Sequence, residues 1–214
     1  PLWIPTEQRI ASSNMTKFME LVRNVTGKEM REYDELYDWS VHDIPAFWEL
    51  VWKISGIVHS EPYQTVLTEP AMPGARWFEG ARFNFAHNLL RYRDDKLAIV
   101  SLAEDRLPQR LTYAQLYHQV AICAEALRKL GVTAGDRVGG FLPNIPETVV
   151  AMLASTSLGA LWSSCSPDFG VQGVLDRFGQ IEPKVLIAVD GYRYQGKSFD
   201  CTDRVRQMVD RIPS

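Results

Sequence analysis

The sequence predicts an α/β fold, in which a helical N-terminal extension is followed by the first part of a doubly wound, mainly parallel sheet flanked by helices. Two observations support this class. Residues 136–166 read as strand, turn, helix and strand, and a nearly unbroken apolar segment follows at 184–189. Strands joined by one helix normally lie parallel, and uninterrupted apolar strands are typical of buried parallel sheets. We therefore expect two domains, residues 1–95 and residues 96–214.

The composition is that of a globular protein without a polyanionic partner. Of its 214 residues, 46% are hydrophobic and 23% are charged, and the formal net charge is −3. This balance gives no electrostatic basis for binding nucleic acid, and no apolar segment is long enough to cross a membrane. The three cysteines form no CxxC motif, which argues against a disulfide framework or zinc site and favours a reducing, cytoplasmic location. No residue pattern specifies an oligomeric state.

Two helices are predicted in the first 60 residues. The first begins at a cap formed by Ser13 or Asn14 and ends at Gly27, because apolar residues between them recur at helical spacing. The second spans residues 43–55, with a proline in its first turn and Gly56 just past its end.

Aromatic residues and prolines dominate the rest of the extension. Trp48 and Trp52 lie at helical spacing, which favours core packing over stacking against a ligand. Residues 62–74 hold three prolines and predict an extended connector. In the segment 75–92 that follows, His87 has no second catalytic group near it in sequence, so we expect a surface or hydrogen-bonded histidine rather than a catalytic base.

The α/β pattern begins after residue 95. Residues 97–102 suit a strand and 104–110 a polar turn. Thr112 and Gln115 form a capping box at the start of a strongly amphipathic helix that stops at Gly131.

Residues 137–164 continue the alternation of strands and helices. Residues 137–142 predict a strand and residues 143–146, which hold two prolines, a turn. A buried helix begins at Glu147 and ends near Gly159, which falls where a left-handed residue commonly terminates a helix, and residues 160–164 predict the next strand.

The pattern continues to the end of the sequence. Residues 171–181 predict a helix, 184–189 a strand, 192–200 a polar loop and 201–211 a last helix, with Pro213 after it.

Ligands of open α/β sheets bind beyond the carboxyl ends of the strands, which here means residues 143–146 and 164–170. Neither GxGxxG nor GxxxxGK[ST] occurs in the sequence, so dinucleotide and P-loop sites have little support. Cys165 lies in this region but has no assignable histidine partner, and we give a nucleophilic role little weight.

Five segments carry a family resemblance: 39–57, 77–90, 111–116, 135–170 and 190–198. The first two, WSVHDIPAFWELVWKISGI and WFEGARFNFAHNLL, are similar to a helix and a Trp-Phe-x-Gly…Asn…Asn-Leu-Leu signature of an N-terminal extension, and the others are similar to the first segments of an adenylating core. The chain thereby resembles, over nearly its whole length, the N-terminal part of the adenylate-forming acyl-CoA synthetases.

The resemblance implies a two-step reaction, in which ATP and a carboxylate give an acyl adenylate and CoA then displaces AMP. Ala81 and the segment 89–92 are similar to acetoacetyl-type rather than acetyl-type members, which implies acetoacetate as the acid. Acetate, propionate and butyrate remain alternatives, as does a stand-alone, non-catalytic α/β binding or interaction module. The family's phosphate loop, adenine-binding segment and catalytic lysine have no counterpart in these residues, so we expect this piece alone to be inactive and assign it no catalytic residue. ATP and Mg²⁺ would act in the full-length enzyme.

The resemblance also implies part of a CoA-binding site. The family's two CoA-contacting turns fall on Ser166, Pro167 and Asp168, and on Arg193, Gly196 and Lys197. Arginine and lysine suit the phosphate groups of CoA, although two cations in a polar loop are more often simply solvated. Acetyl-type members have glycines in place of Pro167 and Asp168, and the Asp168 carboxylate would repel phosphate. We therefore expect Asp168 to act through its backbone or as a helix cap.

Overall fold

The computed structural model describes residues 2–212 and 214, which form two compact units, one running to Phe83 and the other beginning at Asn84. The first unit contains, in order, α1 (Glu7–Ala11), α2 (Asn14–Thr26), α3 (Tyr33–His42), α4 (Ile44–Ser55), β1 (Thr65–Thr68) and β2 (Arg76–Glu79). Its two strands pair antiparallel, so the predicted connector at 62–74 contains one strand of a hairpin.

Both helices predicted in this unit are confirmed. The Ser13 hydroxyl accepts a hydrogen bond from the Thr16 backbone N–H and caps α2, and Gly27 ends it with φ of 70°. Gly56 ends α4 in the same left-handed conformation, with φ of 57°. The sequence interpretation missed α3, whose N-cap is Glu32, a residue that is uncommon at that position.

Aromatic packing accounts for the tryptophans of α4. Trp52 is buried, and its ring centroid lies 4.6 Å from that of Phe78 and 5.4 Å from that of Tyr63. Trp48 is 40% exposed and makes edge contacts with Phe47 and Trp77. Core packing is thus confirmed for Trp52 and is partial for Trp48.

The second unit begins with α5 (Phe85–Leu89), β3 (Leu97–Ser101), β4 (Gln109–Thr112) and α6 (Tyr113–Lys129). It continues with β5 (Arg137–Phe141), α7 (Pro146–Ser157), β6 (Leu161–Cys165), α8 (Val171–Ile181), β7 (Val185–Ala188), β8 (Gly191–Tyr194), β9 (Lys197–Asp200) and α9 (Thr202–Val209). Strands β5, β6 and β7 form a parallel sheet in the order β6-β5-β7. Strand β3, predicted from its apolar residues, instead pairs antiparallel with β4, which begins inside the predicted polar turn.

Helices cover the parallel sheet on both faces, which confirms the predicted doubly wound class. One core contains the buried stripes of α6 and α7 together with Val138 of β5. The other contains Phe141 of the same strand, Val174 and Phe178 of α8, and Met208 of α9. Side chains on alternate faces of one strand enter the two cores, as the two-residue period of a strand requires.

Local signals in this unit are confirmed where they concern helix ends. The hydroxyl of Thr112 accepts a hydrogen bond from the Gln115 N–H, and the Gln115 side chain accepts one from the Thr112 N–H. Gly159 has φ of 76°, as its place after α7 predicted. His87 lies exposed in the short helix α5, and Pro213 lies outside the described residues.

The predicted polar loop at 192–200 is wrong, because this segment is a β-hairpin. Its register pairs Gly191 with Asp200, Tyr192 with Phe199, Arg193 with Ser198 and Tyr194 with Lys197. Most of its residues are exposed, so the alternation of buried and exposed side chains that marks a half-buried strand is weak.

Candidate functional site

The carboxyl ends of the three parallel strands lie at one edge of the sheet. Hydrogen bonding continues past the strand ends, because the Leu142 N–H donates to the Cys165 carbonyl at 3.2 Å and the Val189 N–H to the Phe141 carbonyl at 3.1 Å. The segments that leave this edge are the turn 143–145, the turn 166–170 and the hairpin β8–β9. All six residues predicted from the sequence lie in the last two of these segments.

The turn after β6 combines one buried and two more accessible residues. Pro167 is fully buried, whereas Ser166 is half-buried and Asp168 exposed. The Ser166 hydroxyl donates to the Asp168 carboxylate at 3.0 Å. A hydrogen bond from the Tyr192 hydroxyl is the main cause that lowers the pKa of Asp168, followed by the Ser166 hydroxyl. The expectation that Asp168 caps a helix is wrong, because Gly170 is the N-cap of α8 and the carboxylate is turned to Tyr192 and Ser166.

Arg204 of α9 connects this turn to the base of the hairpin. Its Nη1 donates to the Pro167 carbonyl at 2.7 Å, and its Nη2 lies 3.2 Å from the Cys201 Sγ and 3.5 Å from the Asp200 carbonyl. Sequence reasoning missed Arg204. No local signal marks it, since Pro167 lies 37 residues earlier in the chain.

The hairpin separates the two cations that the sequence placed in one site. Tyr192 and Phe199 pair across the strands and stack with ring centroids 5.0 Å apart. Lys197 lies two residues from Phe199 and so on the same face, whereas Arg193 pairs with Ser198 on the opposite face. The structure therefore does not bring the Arg193 and Lys197 side chains together.

The surroundings of the two cations also differ. Arg193 is about half exposed, its Nε donates to the Ser198 hydroxyl at 3.3 Å, and its Nη1 lies 4.0 Å from an Asp105 carboxylate oxygen. It borders a cleft of about 590 Å³ that is lined by residues 102–106, residues 143–145 and the start of β8. Lys197 is exposed, and among residues 2–212 and 214 its side chain makes no hydrogen bond or ion pair.

Gly196 forms the tip of the hairpin with Gln195. Both residues are left-handed, with φ of 73° and 50°. The Gly196 N–H donates to Oε2 of Glu104 at 2.9 Å, and the Gln195 N–H donates to Oε1 of the same carboxylate at 3.0 Å. These two hydrogen bonds, the one from Gly196 first, lower the pKa of Glu104. Glu104 was not identified from the sequence, because 91 to 92 residues separate it from the tip.

The acidic, histidine and cysteine side chains of the described residues bear on two kinds of site, metal sites and cysteine nucleophiles, each of which requires a particular arrangement. Among those residues no group of three or more His, Cys, Asp or Glu side chains is placed to hold a metal ion. Cys165 is buried, and burial raises the pKa of its thiol, which disfavours the reactive thiolate. No helix within the described ranges is long and apolar enough to span a bilayer.

Residues 85–212, more than half of the chain, match the family model described as AMP-binding enzyme. The chain belongs to the AMP-binding enzyme family. A second model, described as acetyl-coenzyme A synthetase N-terminus, matches residues 33–89. This pair of matches confirms the resemblance inferred from the five sequence segments.

Individual relatives of this AMP-binding chain are similar over almost all of its length. It is 44% identical over 212 residues to acetoacetyl-coenzyme A synthetase of Rhizobium meliloti, covering 99% of this chain and 33% of the relative. It is 42% identical over 216 residues to acetoacetyl-CoA synthetase of Xenopus tropicalis, covering 99% and 32%. A solved structure of acetoacetyl-CoA synthetase from Streptomyces lividans has a TM-score of 0.94 and 45% identity, covering 100% of this chain and 34% of that one. The chain thus spans about a third of the length of the relatives it matches.

Proposed function

We propose that this chain is the N-terminal part of an ATP-dependent acyl-CoA synthetase that activates acetoacetate as acetoacetyl-AMP and transfers the acyl group to CoA. In the first step the carboxylate attacks the α-phosphate of ATP and releases pyrophosphate. In the second step the CoA thiol attacks the acyl carbon and releases AMP. The supporting observation is that similarity to acetoacetyl-CoA synthetases extends over 99 to 100% of the chain, including the first unit as well as the AMP-binding segment.

Within that enzyme, we assign residues 1–95 to the N-terminal extension and 96–214 to the start of the adenylation domain, as the sequence predicted. The compact units divide earlier, after Phe83, so residues 84–95 would be the part of the extension that packs with the second unit, through Ala86 and Leu90. ATP and Mg²⁺ would be bound by residues that follow these in the full-length protein, so the 214-residue piece alone should not form an adenylate. The free thiols of Cys123, Cys165 and Cys201 agree with a reducing compartment, and we place the enzyme in the cytoplasm. Its partners would be small molecules rather than nucleic acid or membrane.

This piece would contribute one side of the CoA-binding site. The turn at Ser166, Pro167 and Asp168 and the hairpin with Arg193, Gly196 and Lys197 both leave the carboxyl edge of the sheet, where ligands of such sheets bind. Because Arg193 and Lys197 lie on opposite faces of the hairpin, we propose that they meet different phosphate groups of CoA. Arginine would make a forked contact, and lysine would act as a point charge.

The reaction is tested with the full-length protein by ATP–pyrophosphate exchange. Acetoacetate, acetate, propionate and butyrate are compared as acids, and AMP formation is followed after CoA is added. Exchange that is fastest with acetoacetate and is completed by CoA would support the proposal. Faster exchange with another acid would leave an acyl-CoA synthetase with a different substrate, and no exchange with any acid would favour a binding module.

The CoA site is tested separately by Arg193→Ala in the same protein. Loss of one charge-assisted contact to phosphate should raise the KM for CoA roughly tenfold or more and leave the exchange rate unchanged. Arg128→Ala is the matched control, because this arginine is exposed on α6 and pairs with Glu125 in its own helix. An unchanged KM in the Arg193 variant would remove this residue from the site.

A further inference from the structure

The tip of the β8–β9 hairpin is held by a carboxylate from a distant segment. Glu104 lies between β3 and β4, and each of its two carboxylate oxygens accepts one of the adjacent N–H groups of Gln195 and Gly196. Both distances, 3.0 and 2.9 Å, are those of good hydrogen bonds, and the acceptor is charged. This bidentate contact fixes the position of the tip as well as its backbone conformation.

The turn needs such support because its own sequence does not fully specify it. A two-residue hairpin loop with φ above zero at both positions favours Asn-Gly or Asp-Gly. Gly196 satisfies this preference, but Gln195 has a Cβ and no short polar side chain, so its φ of 50° is unfavourable. Glu104 can accept both hydrogen bonds only when the two N–H groups point in the same direction. These hydrogen bonds therefore stabilise the turn conformation with φ above zero at both residues.

The same segment also approaches the cation that precedes the tip. Asp105, next to Glu104 in the chain, lies 4.0 Å from the Arg193 guanidinium. Lys197 follows Gly196 directly as the first residue of β9. The positions of both cations therefore depend on where the tip is held.

We propose that Glu104 is a positioning residue, which holds the hairpin tip so that Arg193 and Lys197 meet CoA and which makes no contact with the ligand itself. This inference rests on the proposed CoA site. It differs from a direct binding role in one testable respect: any change that restores the turn without the carboxylate should restore CoA binding.

The experiment uses the full-length protein with Glu104→Gln, Gln195→Asn and the double variant. In Glu104→Gln the neutral amide offers one acceptor oxygen in place of two charged ones, so the KM for CoA should rise about tenfold while ATP–pyrophosphate exchange is unchanged. Gln195→Asn favours the left-handed conformation, and in the double variant it should recover most of that loss. Glu125→Gln, an exposed carboxylate on α6, is the control.

The measured KM values distinguish a positioning role of Glu104 from the alternatives. A raised KM that Gln195→Asn does not recover would mean that Glu104 acts on the ligand directly, which overturns the positioning role. A lowered KM in Glu104→Gln would mean that the carboxylate competes with a ligand anion for the two N–H groups, which also overturns it. An unchanged KM, while Arg193→Ala raises it, would leave the proposed CoA site in place and remove Glu104 from it.

Amide hydrogen exchange separates failure of this inference from failure of the proposed function. In Glu104→Gln the Gln195 and Gly196 amides should exchange about tenfold faster than in the wild-type enzyme. If they do so while neither Arg193→Ala nor Glu104→Gln changes the KM, the tip contact exists but the hairpin is not a CoA site. If their exchange is unchanged, Glu104 does not hold the tip and the inference is wrong.

Discussion

The central strand of the parallel sheet contains a glycine at which a single added methyl group should disrupt the packing. Gly140 is buried in β5, and a Cβ added there would lie 2.6 Å from two atoms of the Trp162 ring on the neighbouring strand β6. That separation is far shorter than any normal van der Waals contact, so either the indole or the strand must move. The indole packs against the core formed by α6 and α7, which limits its freedom to move away. Gly140→Ala is therefore an overpacking substitution rather than a backbone one.

The expected cost is about 1–3 kcal/mol of unfolding free energy, the usual range for extra methyl groups in a packed core. For a unit between about 100 and 150 residues long each kcal/mol lowers Tm by roughly 4 °C. Gly139→Ala should cost less, because its added Cβ meets only the flexible end of Leu186 at 3.3 Å and the Pro183 ring at 3.4 Å. Gly179→Ala, in α8 with nothing within 4 Å, should instead stabilise by about 0.4–1 kcal/mol.

Thermal unfolding of the full-length protein measures this series, and Trp162→Leu supplies the decisive variant. If the ring is the obstacle, Gly140→Ala should cost much less when leucine replaces the tryptophan. The double variant would then be clearly less destabilised than the sum of the two single variants. Additivity within about 0.5 kcal/mol would show that the two residues do not interact and would refute the steric reasoning.

Two further predictions concern contacts that join elements of the second unit. Hydrogen bonds from Lys184 and Thr133, with the lysine first, lower the pKa of Asp136 to about 2. The ionised carboxylate therefore stabilises the fold above its ordinary pKa of 3.8, and this stabilisation is lost as the pH falls through 2. Asp136→Asn should flatten the pH dependence of urea unfolding between about pH 5 and about pH 2, and an unchanged slope would contradict this. Arg204→Lys cannot keep all three contacts of the guanidinium and should lower the free energy of unfolding by about 1–3 kcal/mol. Arg206→Lys, exposed on the same helix, should change that free energy by no more than about 0.5 kcal/mol. Equal effects of the two substitutions in urea unfolding would argue against a special role for Arg204.

Helix ends were predictable because their signals are local. The cap at Ser13, the box at Thr112 and Gln115, and the left-handed residue Gly159 each depend on residues within a few positions of one another. Strand β7 was predictable for a related reason, since strands of a parallel sheet covered on both faces tend to be continuous apolar segments, and its four residues are all apolar. α3 was missed because its N-cap, Glu32, does not belong to the usual capping residues.

The six residues of the candidate site were assigned by the family resemblance, and their role in binding CoA stays a prediction. The sequence pattern pointed to residues 143–146 and 164–170 at the carboxyl edge of the sheet, and the structure shows that the hairpin also leaves this edge. The sequence did not show that residues 191–200 form a hairpin, because most of their side chains are exposed and Gln-Gly is not a typical hairpin turn. The faces of Arg193 and Lys197 follow from that hairpin, and its supports, Glu104 and Arg204, act on residues 37 to 92 positions away.

The strand order has a consequence for how the sheet grows during synthesis. Among the residues that the structure describes, β5 is the first parallel strand to leave the ribosome, and it is also the central strand. β6 then adds to one side of it and β7 to the other, so neither has to insert between two strands that are already paired. Each new strand finds a formed edge with free N–H and carbonyl groups as soon as its crossover helix has been made. Translation can therefore add β6 and β7 to opposite sides of β5 without undoing the pairing of β5 with β6.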